Sequence, residues 1–163
     1  MDEDLGRDAV EGWAHALTQE LFELGIAIDL VGNATAGRLG INQTDLICLE
    51  LLLRRGPMGA GEVAAALGLT TAAISAMATR LEAGGYAYRE MDPKDRRRVL
   101  LHASPSGARQ AYSLFDDLYR AADKLHSQYR ERDQKLLLDL LGKFRELIIE
   151  YAATIRAGSA KKP

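Results

Sequence analysis

Gly61-Glu62-Val63-Ala64-Ala65-Ala66-Leu67-Gly68-Leu69-Thr70-Thr71-Ala72-Ala73-Ile74-Ser75-Ala76-Met77-Ala78-Thr79-Arg80-Leu81-Glu82-Ala83-Gly84-Gly85 is the stretch on which the fold turns. Its first eight residues make a helix of about two turns, stopped by Gly68. Thr70 or Thr71 then caps a second helix, in which Ile74, Met77, Ala78 and Leu81 share one face and Thr71, Ala72, Ser75, Ala76 and Thr79 the other. Two short helices joined by a glycine-containing turn form a helix-turn-helix. The second face is small, hydroxyl-rich and uncharged. It suits a packed structural helix, or one that must enter a major groove about 12 Å wide, where hydroxyls meet phosphates or base edges and methyl groups meet thymine. Arg80 lies off the apolar stripe, where it can meet a phosphate. Gly84-Gly85 ends the helix with a backbone-permissive pair.

Downstream, Tyr86-Ala87-Tyr88-Arg89-Glu90 and Val99-Leu100-Leu101-His102-Ala103 read as strands joined by the turn signal Asp92-Pro93-Lys94-Asp95, a hairpin. Its tip carries Arg96, Arg97 and Arg98 beside two aspartates. A charge run is ordinarily a solvated face, but this one caps a hairpin that directly follows a helix-turn-helix. An arginine there can enter a narrow minor groove while the helix sits in the major groove, and an aspartate two residues earlier can orient it.

Outward from this middle, both flanks read as long helices. Val10, Trp13, Leu17, Leu21, Leu24, Ile28 and Val31 recur at spacings of three and four. Thr44, with Asn42 just upstream, opens a helix carrying Leu46, Ile47, Leu49, Leu52 and Leu53, which Gly56-Pro57 ends. Ser104-Pro105 starts another, with Ala108, Ala111, Tyr112, Phe115, Leu118, Ala122 and Leu125 as its apolar set. Asp133 is expected to cap the last, where Leu136, Leu140, Phe144 and Ile148 form a stripe that Leu137, Leu141 and Tyr151 widen. Such a stripe is either an internal packing face or a surface buried against a second copy of the chain, and the prevalence of symmetric dimers favours the copy.

The 163 residues, 47% hydrophobic and 27% charged, suit a soluble globular chain. The formal net charge of −2 hides an asymmetry: residues 54–109 hold nine basic side chains against five acidic, +4, and the flanks sum to −6. A basic middle points to an anionic partner there. The single Cys48 excludes an intramolecular disulfide, and its place in an apolar run marks it as a packed core thiol and not a redox sensor. His15, His102 and His126 have no metal-ligand spacing. No phosphate loop, nucleophile elbow or paired-carboxylate arrangement is present, and Glu62 and Glu82 read as solvated positions. No enzyme, metal or cofactor is therefore expected. The acidic start and the absence of a long apolar run argue against a secretory signal or membrane span and for a cytoplasmic location.

The wing and its exit, Asp92-Pro93-Lys94-Asp95-Arg96-Arg97-Arg98-Val99-Leu100-Leu101-His102-Ala103-Ser104-Pro105-Ser106-Gly107, resemble the MarR family of bacterial winged-helix transcription regulators. Asp95, Arg97, Val99, Leu101 and Gly107 match the family pattern, whereas His102-Ala103-Ser104 departs from its usual Leu-Thr. The likeness extends in element order from about Val10 to Ile155. It implies a homodimer with intertwined terminal helices, bound to a pseudo-palindromic operator in double-stranded DNA. It also implies Arg97 in the minor groove, Asp95 as its orienting partner, and Thr71, Ala72, Ser75, Ala76 and Thr79 toward the major groove. Such proteins commonly take a small aromatic or anionic effector where the dimer helices meet the winged domain. Trp13, His15 and Tyr112 are the candidate lining residues.

The resulting expectation is a mainly α chain with a small β-hairpin wing. Residues 1–40 form an N-terminal dimerisation region, 41–104 a winged helix-turn-helix, 105–157 C-terminal dimerisation helices and 158–163 a frayed tail. Its expected function is that of a repressor released from its operator by an effector. Its expected DNA contacts are Thr70, Thr71, Ala72, Ser75, Ala76, Thr79, Arg80, Asp95, Arg96, Arg97 and Arg98. The alternative is a winged-helix protein–protein assembly module, which would need no cationic wing tip.

Overall fold

A computed structural model describes residues 2–159, with side chains from 12 to 158. The elements run α1 (Asp2–Leu39), α2 (Gln43–Arg55), β1 (Met58–Gly59), α3 (Ala60–Leu67), α4 (Thr71–Ala83), β2 (Ala87–Met91), β3 (Val99–Ala103), α5 (Pro105–His126) and α6 (Glu131–Ser159). The chain divides after Leu114, within α5, into two units.

In the first unit, local chemistry sets each boundary. The Asn42 side chain, not Thr44, caps α2 by accepting from the Asp45 amide at 2.8 Å. Thr70 caps α4, accepting from the Ala73 amide at 3.2 Å. Such caps contribute about 1 kcal/mol each. Gly85 adopts φ +74°, and this left-handed residue lets the Tyr86 amide reach back to Leu81 O at 2.8 Å, turning the chain from α4 into the wing.

The core forms where α2, α3, α4 and the sheet meet. Leu49, Val63 and Leu81 are wholly buried, and Ile74, Met77 and Leu101 nearly so. All four apolar residues expected on the inner face of the second helix are buried, and all five on the opposite face are exposed. Each fully buried Val, Leu, Ile or Met side chain stabilises the fold by about 1.5–3 kcal/mol.

The sheet has three antiparallel strands in the order β1-β3-β2, one more than the expected hairpin. Met58 pairs with Leu101 and Gly59 with Leu100, so the two-residue β1 covers the edge of β3 that β2 does not. In the hairpin, Ala87 faces Ala103, Arg89 faces Leu101 and Met91 faces Val99.

Ser104 resolves the start of α5: its Oγ accepts from the Gly107 amide at 2.9 Å and donates to Gly85 O at 2.6 Å. A Cβ on Gly107 would lie 2.7 Å from Tyr86 Cα and 2.8 Å from Tyr86 O, so glycine is required by backbone proximity. The Tyr86 hydroxyl donates to Leu39 O at 2.6 Å, fastening the end of α1 to the wing root.

The second unit is the rest of α5 with α6. The expected cap at Asp133 lies three residues too late. α6 starts at Glu131, and Arg130 O already accepts the Gln134 amide at 3.0 Å, leaving Asp133 in the first turn. Acidic side chains are favourable there against the helix dipole. No described residue of α6 is buried, and Leu136, Leu138, Leu147, Ile148, Ile149 and Tyr151 are each more than half exposed.

Candidate nucleic-acid interface

Two features of the first unit face solvent with chemistry suited to a polyanion: the outer face of α4 and the wing tip. On α4, Thr71, Ala72, Ser75, Ala76 and Thr79 are exposed. Thr79 Oγ1 donates to Ser75 O at 3.1 Å. Thr70 is exposed too, but its hydroxyl oxygen is occupied as the helix cap.

The wing tip is preorganised by its aspartates. Asp92 is buried and accepts from the Lys94 amide at 2.8 Å, while the Asp92 amide donates to Arg98 O at 2.9 Å. Asp95 Oδ1 accepts from the Arg97 amide at 3.1 Å and lies 3.3 Å from Arg97 Nε. The Arg97 side chain is nevertheless 92% exposed. Arg96 and Lys94 are also exposed and make no ion pair among the described residues. Three cations thus project from one tight turn, one of them steered by a neighbouring carboxylate.

Two arginines expected to meet DNA have partners inside the fold. Arg80 donates from Nε and Nη2 to Asp45 at 2.9 and 2.6 Å, a bidentate pair tying α4 to α2. Asp45 is only 2% exposed, whereas half of Arg80 reaches solvent. The carboxylate holds the Arg80 pKa above its ordinary value. Arg98 turns back to Glu62 at 3.1 Å and lies 4.0 Å from Asp92. Glu62 also accepts from the Gly59 amide at 2.7 Å. That amide first, and Arg98 second, hold the Glu62 carboxyl below its usual range. Glu62 is therefore the strut between α3 and the wing base, not the merely solvated position expected, and Glu82 likewise pairs with Arg89 of β2.

Sequence reasoning missed the Asp45–Arg80 and Arg89–Glu82 pairs. An isolated Asp45 leading the apolar run Leu46-Ile47-Cys48 was the available signal for the first, because a carboxylate entering a core demands a cation. Nothing comparable marks the second.

Cys48 is fully buried, as expected. Burial, with a smaller contribution from Asp45, pushes its pKa up to about 11. A thiol so protonated is a poor nucleophile. Labelling of the native protein by a thiol reagent at neutral pH is expected to be slow and to accelerate only on unfolding. Rapid labelling of folded protein would contradict this placement.

Trp13 and His15 on α1 and Tyr112 on α5 are all exposed. None lines the cavity of about 690 Å³ bordered by Leu39, Ile41, Asp45, Arg80, Gly84 and Tyr86. Among the described residues no group of three His, Cys, Asp or Glu side chains could hold a metal ion, and no single helix is long and apolar enough to cross a membrane.

Residues 39–98, from the end of α1 to the wing tip, match the model of the MarR family. The chain is 35% identical over 128 residues to the uncharacterized HTH-type transcriptional regulator YcgE of Bacillus subtilis (strain 168), covering 78% of this chain and 83% of that protein. Among solved structures, MarR aligns with a TM-score of 0.56 at 22% identity, over 82% of this chain and 98% of its own. A MepR mutant from a multidrug-resistant S. aureus clinical isolate aligns with a TM-score of 0.67 at 18% identity, over 81% and 96%. A second S. aureus MepR mutant, bound to an oligodeoxyribonucleotide, aligns with a TM-score of 0.54 at 19% identity, over 81% and 97%. The structural likenesses establish the winged-helix fold. The match to the family model, with the identity to YcgE across most of that protein's length, makes the assignment: the chain is a member of the MarR family of transcriptional regulators.

Proposed function

We propose that this regulator is a homodimeric repressor that binds a pseudo-palindromic duplex operator and is released from it by a small aromatic or anionic effector. The observation that carries the DNA-binding part is the wing tip. Arg97 is steered by Asp95 yet 92% exposed, beside an exposed Arg96, on the unit whose α4 offers an exposed, uncharged face. Arg97 enters the minor groove, where narrow, electronegative segments attract guanidinium groups. Thr71, Ala72, Ser75, Ala76 and Thr79 meet the major groove. Thr70 lies at the helix start beside the phosphates. Arg96 supplies backbone contact, whereas Arg80 and Arg98 act first as struts and offer DNA only their remaining N–H groups.

Dimerisation is supported by the exposed apolar residues of α6 together with Trp13, Phe22, Ile26, Ile28 and Leu30 of α1, each more than half exposed. A second copy covers these faces through a two-fold interface, the commonest oligomeric arrangement. It also sets the spacing of two α4 helices to one turn of DNA. An effector lowers operator affinity only by its differential affinity for a spacing that misfits the grooves. Trp13, His15 and Tyr112 are its proposed contacts.

Arg97→Ala is expected to weaken operator binding by about 1–3 kcal/mol, the size of one specific arginine contact. Titration of operator duplex with both proteins at one salt concentration checks this. Equal affinities would remove Arg97 from the interface.

A further inference from the structure

The two proposed reading elements, α4 and the wing, are joined by one side chain that neither the family match nor the proposed contacts above assign. Arg89 stands at the centre of β2, opposite Leu101 of β3. Its guanidinium crosses to α4 and makes three contacts there. It pairs with Glu82, donates from Nη2 to Ser75 O at 2.9 Å, and lies 3.4 Å from Thr79 Oγ1. The groove it crosses, about 90 Å³ in volume, is otherwise bordered by Ala60, Ile74, Ser75, Ala78, Val99 and Leu101. Among those residues only Arg89 and Ser75 carry polar side chains, so Arg89 is the polar tie between helix and wing.

We infer that Arg89 is a positioning residue of the DNA-reading surface: by spanning Glu82, the Ser75 carbonyl and the Thr79 hydroxyl, it locks the wing and α4 into one rigid reader and leaves Thr79 to meet DNA through its methyl group. This rests on the DNA-binding reading above. Two physical consequences follow from the contacts. First, Arg89 is one-third exposed and already neutralised by Glu82, so it adds little to counterion release. Its effect on binding comes through geometry, by holding Arg97 at the wing tip at a set distance from α4. Second, the Thr79 hydroxyl donates to Ser75 O and faces Arg89. Its one donor and one of its two acceptor positions are taken inside the protein, which leaves the methyl as the group presented to a base, with the thymine methyl as its natural partner.

The test uses full-length protein, a duplex selected by the wild type from a random pool, and a scrambled duplex, each titrated at several salt concentrations. Arg89→Ala is expected to weaken binding to the selected duplex about tenfold, the size of coupling between contacting residues. Its affinity for the scrambled duplex and its salt slope should be unchanged. In the Arg89→Ala background, Arg97→Ala should cost less than in the wild type. Arg89→Lys keeps the charge but cannot fork across three acceptors; it should lose a few-fold in the same direction and serves where the alanine variant folds poorly. Thr79→Val should bind within twofold of wild type, and Thr79→Ser about fourfold more weakly for each methyl group withdrawn from a base.

A salt slope reduced by about one, with the ratio of selected to scrambled binding unchanged, would make Arg89 a direct phosphate contact and overturn the inference. So would unchanged affinity of Arg89→Ala for the selected duplex, or Thr79→Val binding more weakly than Thr79→Ser. A wild type that selects no site at all would overturn the DNA-binding reading beneath it, which the other outcomes leave standing.

Discussion

A chain ending at Asp133 is expected to sediment as a monomer and to bind its operator about 10²–10⁴-fold more weakly than the full protein. The range follows from avidity: two half-sites held by one dimer bind as a linked pair, and separating them forfeits that effective concentration. The cut removes nearly all of α6, including Leu136, Leu138, Leu147, Ile148, Ile149 and Tyr151. It removes none of the winged core, whose buried residues lie between Thr35 and Ala111. The truncated protein should therefore keep a cooperative thermal transition and its affinity for a single half-site. Sedimentation velocity with a parallel DNA titration reads both quantities. A truncated chain that stays dimeric, or a monomer that binds the full operator as tightly as before, would place the interface elsewhere.

The second large effect is expected at a residue that touches neither DNA nor a second copy in this account. Gly107→Ala should destabilise the winged unit by about 3 kcal/mol, the upper end for overpacking. The added methyl meets Tyr86 Cα at 2.7 Å and Tyr86 O at 2.8 Å, and backbone cannot rotate aside as a side chain can. Tyr86 also closes the hydrogen bond to Leu39 O, so displacing it loosens the α1 junction as well. Gly61→Ala is the matched control. Nothing lies within 4 Å of its added Cβ, and Gly61 sits inside α3. That substitution should stabilise the protein by about 0.4–1 kcal/mol through the unfolded chain. Thermal melts of the two variants should move in opposite directions, and a Gly107→Ala protein as stable as wild type would mean that the α5 start can shift away from Tyr86.

Much of the fold was legible because its determinants are local. The four-residue apolar face of α4, the capping threonine before it, the glycines after it and the Pro-Asp-rich wing turn are each set by near neighbours in sequence. The structure reproduces them with shifts of a residue or so. What escaped depends on contacts distant along the chain. Met58-Gly59 is too short to show a strand period, and it becomes β1 only because Leu100 and Leu101 lie alongside. Asp133 looked like a cap because acidic residues suit helix starts, but the first turn tolerates them as well as the cap position does.

The site divides in the same way. The exposed face of α4 and the outward Arg97 followed from periodicity and from the turn. The roles of Arg80 and Arg98 did not, because a sequence shows where a cation stands but not which carboxylate the fold brings to it. Asp45 lies 35 residues from Arg80, and Glu62 lies 36 residues from Arg98. Of the three arginines at the wing tip, one is thus a strut, and the cationic surface is narrower than the run Arg96-Arg97-Arg98 implied.

The central claim is that this winged unit reads DNA as a pair. Selection from a randomised duplex pool with the purified full-length protein, at several salt concentrations, tests it most directly. The account predicts enrichment of a two-fold symmetric site whose binding falls steeply as salt rises, because several phosphate contacts release counterions together. A pool with no enriched sequence and no salt-dependent binding would contradict it, and would leave the winged domain as a protein–protein assembly module.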